Sequence, residues 1–139
     1  MRRNKQHIVD SKKGDCFRAC LTSILDMPND ESLPNVDDPR WFARWYEILG
    51  EMGIHIAFEH KACWREGYWI ADVKSLNFEG GKHAIVMNGT KVAHDPSTKK
   101  RYRAGTYLGG KDVVTGGWYL EILDWSKLSK YFSSLSAAS

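Results

Sequence analysis

Lys82-His83-Ala84-Ile85-Val86-Met87-Asn88-Gly89-Thr90-Lys91-Val92-Ala93-His94-Asp95-Pro96 reads as two short strands folded about a tight turn. Ile85, Val86 and Met87 make an apolar run, and Asn88-Gly89 is a strong short-range hairpin signal. Pro96 cannot donate to a ladder, so the second strand stops before it. Register decides what this hairpin carries. A strict two-residue Asn88-Gly89 turn pairs Met87 with Thr90 and therefore His83 with His94. A three-residue loop that includes Thr90 pairs His83 with Asp95, and a bulge makes the same change of side. The residues alone leave these alternatives open.

Outward from the hairpin, the chain divides into helices before it and strands around it. Ala19, Cys20, Leu21, Ile24 and Leu25 form an apolar stripe at helical spacing, predicting a first helix over about 16–26 with Gly14 or Asp15 as its N-cap. Trp41, Phe42, Trp45, Ile48, Leu49 and Met52 predict a second, capped by Asp37 or Asp38, with Pro39 near its first turn and Gly53 at its end. That aromatic stripe reads as core. Residues 53–58 and 68–73 read as strands, 101–117 as a Gly-rich basic loop, and 118–123 as a closing strand. A short helix is expected over 125–132, followed by a frayed tail, 133–139. Two helices followed by an antiparallel meander give an α+β fold in one domain, residues 1–132.

The chain has 139 residues, enough to bury a core without staples. Its three cysteines cannot make a complete disulfide framework. Met1-Arg2-Arg3-Asn4-Lys5-Gln6 lacks the apolar stretch of a signal peptide, and no run of about 18 apolar residues occurs. A reducing cytoplasm is the expected setting, where thiols stay free. Net charge is +3, with basic residues gathered at Arg2, Arg3, Lys5, Lys12 and Lys13 and again at Lys99, Lys100, Arg101 and Arg103. No nucleic-acid recognition motif accompanies them, so they read as a solvated face.

The chemistry centres on Gly14-Asp15-Cys16-Phe17-Arg18-Ala19-Cys20. Cys16 opens a helix, where backbone N–H groups and the helix dipole favour a thiolate. Cys20, one turn on, falls on the apolar stripe and reads as core. His83 opens a strand and could serve as base to the thiol. Asp95 could orient that imidazole and stabilise its cation, although Asp-Pro-Ser is also a good turn. His94 competes with Asp95 for the place behind His83. Gln6 could give an amide donor to an oxyanion, beside the N–H of Cys16. A zinc site from Cys16, Cys20, His60 and Cys63 has unsuitable ligand spacing, so no metal or other cofactor is expected.

In their order, Gly-Asp-Cys-Phe-Arg-Ala-Cys, His-Ala-Ile-Val-Met and His-Asp-Pro-Ser resemble the papain-like cysteine peptidase superfamily. Within it they are most similar to double-glycine leader peptidases and small phage-encoded papain-fold proteins. The resemblance implies a papain-like fold with N-terminal helices packed on an antiparallel sheet. It implies Cys16 as nucleophile, His83 as general base and acid, and Asp95 as orienter. Gln6 lies ten residues before Cys16, farther than the family's oxyanion Gln usually stands. The reading is a cysteine-dependent hydrolase of a peptide, isopeptide or other amide bond, acting in the cytoplasm (the host's, if phage-encoded). An amine acceptor in place of water would make it an acyltransferase. The alternative is a non-catalytic binding protein on the same fold that sequesters a host protein or small signalling ligand.

Overall fold

The computed structural model describes residues 1–10 and 14–138; Lys12 and Lys13 of the basic N-terminal run and Ser139 of the expected tail lie outside them. Its elements are α1 (Cys16–Ile24), α2 (Trp41–Glu51), β1 (Ile54–Glu59), β2 (Tyr68–Lys74), β3 (Lys82–Asn88), β4 (Lys91–His94), β5 (Val114–Ile122) and α3 (Trp125–Ala138). The expected α+β class is the one adopted.

Both early helices obey their apolar stripes but differ at their ends. The first ends near Ile24, two residues early. Asp26 takes a left-handed φ of 57°, while Met27 N donates to Thr22 O at 3.0 Å and Asp26 N to Ser23 O at 3.2 Å. This Schellman closure satisfies the last carbonyls of α1. The second begins later than its capping acids suggest, at Trp41. Asp38 closes the preceding turn instead, accepting Arg40 N at 2.9 Å and Arg44 Nη1 at 2.7 Å. Trp45, Leu49 and Met52 are buried as expected. The third helix runs to Ala138, beyond the short helix and frayed tail the sequence suggested; its Leu128 and Tyr131 pack on the core, and the small residues after Phe132 contain nothing that breaks a helix.

The sheet is antiparallel throughout, but it is not a simple meander: its order is β1-β5-β2-β3-β4. Only β2, β3 and β4 follow one another. β5 pairs with β1 from Ile54↔Ile122 to Glu59↔Gly117 and with β2 from Ile70↔Trp118 to Val73↔Val114. It therefore begins inside the segment expected as loop. Gly116-Gly117 disguises it, because paired glycines read as flexible. Here they are required by close packing. A Cβ at Gly117 would stand 2.6 Å from the Tyr119 hydroxyl and 2.9 Å from the Trp69 ring.

Each face of the sheet carries a core. Ile54, Ile56, Ile70, Ala84 and Val86 pack with Phe17, Cys20, Leu21, Trp45 and Leu49 of the helices. Trp69, Ala71, Val73, Ile85, Met87 and Tyr119 form the second core, covered by Ala62, Cys63, Trp64, Tyr102 and Leu108. Among the described residues no helix is long and apolar enough to cross a membrane.

The hairpin resolves its own ambiguity. Its turn is Gly89-Thr90, one residue later than Asn88-Gly89, flanked by the pair Asn88↔Lys91. Gly89 has φ 60° at the first turn position, where glycine bears no Cβ penalty. Met87 pairs with Val92, but Val86 pairs with His94, so Ala93 is left over as a bulge. The bulge draws His94 to Val86, away from His83, and sets Asp95 in the first position past the strand.

Candidate active site

Cys16 is the first residue of α1, and His83 the second of β3. The two line one cleft of about 210 Å³, together with Phe17, Trp41, Asp72 and Trp118. The Phe17 ring meets Trp41 and Trp118 edge-on, each at 5.0 Å between centroids. Trp41 thus supports the core with one side and walls the cleft with the other.

The His83 ring has a neighbour on two sides. Its Nε2 lies 2.7 Å from Asp95 Oδ1, and the other side of the ring shares the cleft lining with Cys16. With Nε2 engaged by the carboxylate, Nδ1 is the nitrogen left for sulfur. Burial alone would lower the His83 pKa. Its interactions with Asp95 first, and with Cys16, outweigh burial and raise it to about 9. At neutral pH the imidazole therefore carries its proton.

Asp95 is fixed before His83 reaches it. Oδ1 also accepts Ser97 N at 2.9 Å, and Oδ2 accepts Tyr102 N at 2.8 Å. Its side chain is only 1% exposed. A buried carboxylate with three donors is rigidly aimed, which is what an orienting group needs. His94 does not stand behind His83. Its Nε2 donates to Asn4 O at 2.5 Å, tying the N-terminal segment to β4. Burial, aided by Arg3 and Arg101, holds the His94 pKa below its ordinary value.

Asp15 plays a part that its capping position did not reveal. It makes no side-chain cap. Its carboxylate, wholly buried, turns back to accept His7 N and Ile8 N at 3.0 Å, Asn29 Nδ2 at 2.9 Å and Arg18 Nη2 at 3.2 Å. Arg18 continues to Asn29 Oδ1 at 2.7 Å, and Asn29 Nδ2 to Lys5 O at 3.2 Å. Burial opposes ionisation of Asp15, but these donors and the Arg18 charge prevail and lower its pKa. The network clamps the N-terminal segment and the loop after α1 around the residue just before Cys16. Only the Asp-Cys-Phe-Arg spacing hints at it, through the i,i+3 pair.

Gln6 is not among the residues lining the cleft. Its Nε2 donates to Ile8 O at 3.0 Å and its backbone N to Pro96 O at 2.8 Å. Its Oε1 is buried without a partner among the described residues. The amide donor of this expected oxyanion residue is thus engaged by Ile8 O within the N-terminal segment. The Cys16 N–H remains, one of the first-turn amides with no partner inside the helix.

Asp72 lines the cleft close to His83 and was not singled out from sequence. Its carboxylate accepts Thr115 Oγ1 at 3.2 Å, and burial raises its pKa. Lys82, also lining the cleft, donates to the same Thr115 oxygen at 2.9 Å. Cys20 is buried in the helix-side core and Cys63 packs on the opposite face, so the four residues weighed for zinc do not gather. Among the described residues no group of three His, Cys, Asp or Glu side chains could hold a metal ion.

No family model matches this chain, and neither a curated protein nor a solved structure matches it.

Proposed function

We propose that the protein is a cysteine-dependent hydrolase of a peptide, isopeptide or other amide bond, built on a papain-like arrangement of helix and sheet. The observation that carries this reading is His83, held between the Asp95 carboxylate and the Cys16 side chain at the mouth of one cleft.

Cys16 sulfur attacks the substrate carbonyl, and negative charge develops on its oxygen. The Cys16 N–H, at the positive end of α1, is placed to stabilise that charge. His83, protonated at neutral pH, gives its proton to the departing amine as the C–N bond breaks. A thioester to Cys16 remains. Neutral His83 then takes a proton from water, which attacks the thioester and releases the acid and the thiol. Asp95 keeps the ring oriented and its cation stabilised through both halves. An amine acceptor would complete the same cycle as a transferase.

The cleft favours a particular kind of acyl group. Phe17, Trp41 and Trp118 offer flat apolar walls beside the sulfur, while Asp72 and Lys82 supply polar ends. An extended chain with an apolar side chain next to the scissile bond fits this lining.

The test is site-resolved alkylation with iodoacetamide across pH. Wild-type Cys16 should label rapidly near neutral pH, and His83→Ala should lose that reactivity while Cys63 labels unchanged. Equal Cys16 labelling in the two proteins overturns the assignment. For a given amide substrate, Cys16→Ala must abolish turnover.

A further inference from the structure

A second cleft has Asp95 in its lining but neither Cys16 nor His83. It has a volume of about 570 Å³, and its lining includes Arg3, Lys5, Lys99, Arg101 and Arg103. In sequence these cations belong to two runs at opposite parts of the chain. The fold makes them neighbours. Asn4 O is held by His94, and Gln6 N donates to Pro96 O at 2.8 Å, so the N-terminal segment lies along the end of β4.

The other wall is equally well fixed. Lys99 N donates to Ser97 Oγ at 3.1 Å, Lys100 N to Asn77 Oδ1 at 3.0 Å, and Tyr102 N to Asp95 Oδ2 at 2.8 Å. The Tyr102 hydroxyl donates to Lys74 O at 2.5 Å. A loop pinned at four points presents its charged side chains outward from a stable backbone.

Charge here is not balanced locally. Among the described residues none of the five cations pairs with a carboxylate. The one acid on the lining, Asp95, has its carboxylate committed to His83, Ser97 and Tyr102. Five positive charges in one cleft exceed the +3 of the whole chain, so the remainder is net negative. Five cations around one concavity focus their field on an anion held there. His94 lies in the same wall, its pKa lowered first by burial and further by Arg3 and Arg101, against the opposing effects of its Asn4 bond and Asp95.

We propose that this cleft binds a small ligand carrying two or more phosphate groups. Three arginines supply fork-shaped donors that match phosphate oxygens, and five charges call for more than one anionic group. The volume falls in the range of small-molecule pockets, about 300–1,000 Å³. A nucleic-acid strand would need a basic track beyond the cleft, and the net negative remainder offers little support for one. The inference does not depend on the chemistry of Cys16.

Calorimetry on the full chain tests it, with inorganic tripolyphosphate, ATP and a single-stranded oligonucleotide as probes at low and physiological salt. Saturable binding of tripolyphosphate, one per chain, is expected. It should weaken about tenfold or more in Lys99→Ala/Arg101→Ala and in Arg3→Ala, and stay unchanged in Lys111→Ala. All are exposed side chains, and an unaltered unfolding midpoint confirms that each variant is folded. Tighter binding of ATP identifies a nucleotide as the source of the phosphates, and equal binding identifies a free polyphosphate; both support the site. No saturable binding, or equal binding in the cleft variants, overturns it. So does an oligonucleotide that binds more tightly than either small probe and is lost in the same variants.

Discussion

His83 and His94 stand on adjacent strands of one hairpin, each with its Nε2 engaged by a single oxygen. The oxygen behind His83 belongs to a carboxylate, at 2.7 Å; the one before His94 is the Asn4 carbonyl, at 2.5 Å. Burial pushes both imidazoles toward neutrality. For His83 the Asp95 carboxylate leads the interactions that overturn that push and the pKa rises to about 9, whereas for His94 the backbone bond does not, and the pKa falls. The same residue type in the same hairpin becomes a proton donor in one place and a neutral structural tie in the other. The charge of the partner makes the difference, not the depth of burial.

The sharpest way to break this contrast is at the thiol. His83→Ala should slow alkylation of Cys16 at neutral pH by about tenfold or more, whereas His94→Ala should change it less than about twofold, read by mass spectrometry of the labelled peptides. Similar losses in both variants would show that the two histidines act on Cys16 alike.

Removing the charge but keeping the shape comes next. Asp95→Asn retains an oxygen for Ser97 N or Tyr102 N but loses the negative charge beside His83. Alkylation of Cys16 at pH 7 should fall by several-fold, up to about tenfold, and the His83 titration, followed by NMR, should move down in pH.

Stability against pH separates the histidines by sign. The folded state favours the protonated form of His83. Its stabilisation is therefore complete below an unfolded pKa of 6.5 and is lost as pH rises through about 9. His94 has the opposite sense: its folded pKa is lowered, so stability falls as pH drops below 6.5. Denaturant midpoints across pH should show His83→Gln flattening the alkaline limb and His94→Gln the acid limb. Each limb has a slope of at most about 1.4 kcal/mol per pH unit.

The smallest effect expected is on overall stability. His94→Ala at pH 7.5 should cost about 1 kcal/mol, the net worth of one hydrogen bond, measured by urea unfolding. A loss of several kcal/mol would mean that the Asn4 tie organises more of the N-terminal segment than this bond alone.

Much of this contrast was legible in the residues. The apolar stripes of α1 and α2 and the Gly89 turn region announce themselves by period and composition. The order Cys16, His83, Asp95 singled out the three side chains that do converge, and His94 was recognised as the rival. What sequence could not give was the choice between them. It hangs on Ala93, a residue with no bulge signature, which the register shift between Val86 and Met87 leaves over. Asp15 does stand at the N-cap position of α1, but its side chain serves elsewhere. Capping is a local signal, while its actual donors come from His7, Ile8 and Asn29, brought in by the tertiary fold. Gln6 was chosen for its chemistry alone, and nothing in its surroundings could be read before the segment was placed. The start of β5 was hidden because Gly116-Gly117 serves packing against Trp69 and Tyr119, not flexibility.

The central seat of β5 also sets a timetable for biosynthesis. β1 and the β2-β3-β4 unit have no ladder between them until β5 enters. A ribosome working at about 5–20 residues per second makes Cys16 several seconds before that strand. Through this interval the nascent sheet is in two pieces, and Trp118, which walls the cleft beside Cys16 and His83, is not yet in place. The cleft beside Cys16 thus gains the Trp118 wall only with the strand that joins the two parts of the sheet.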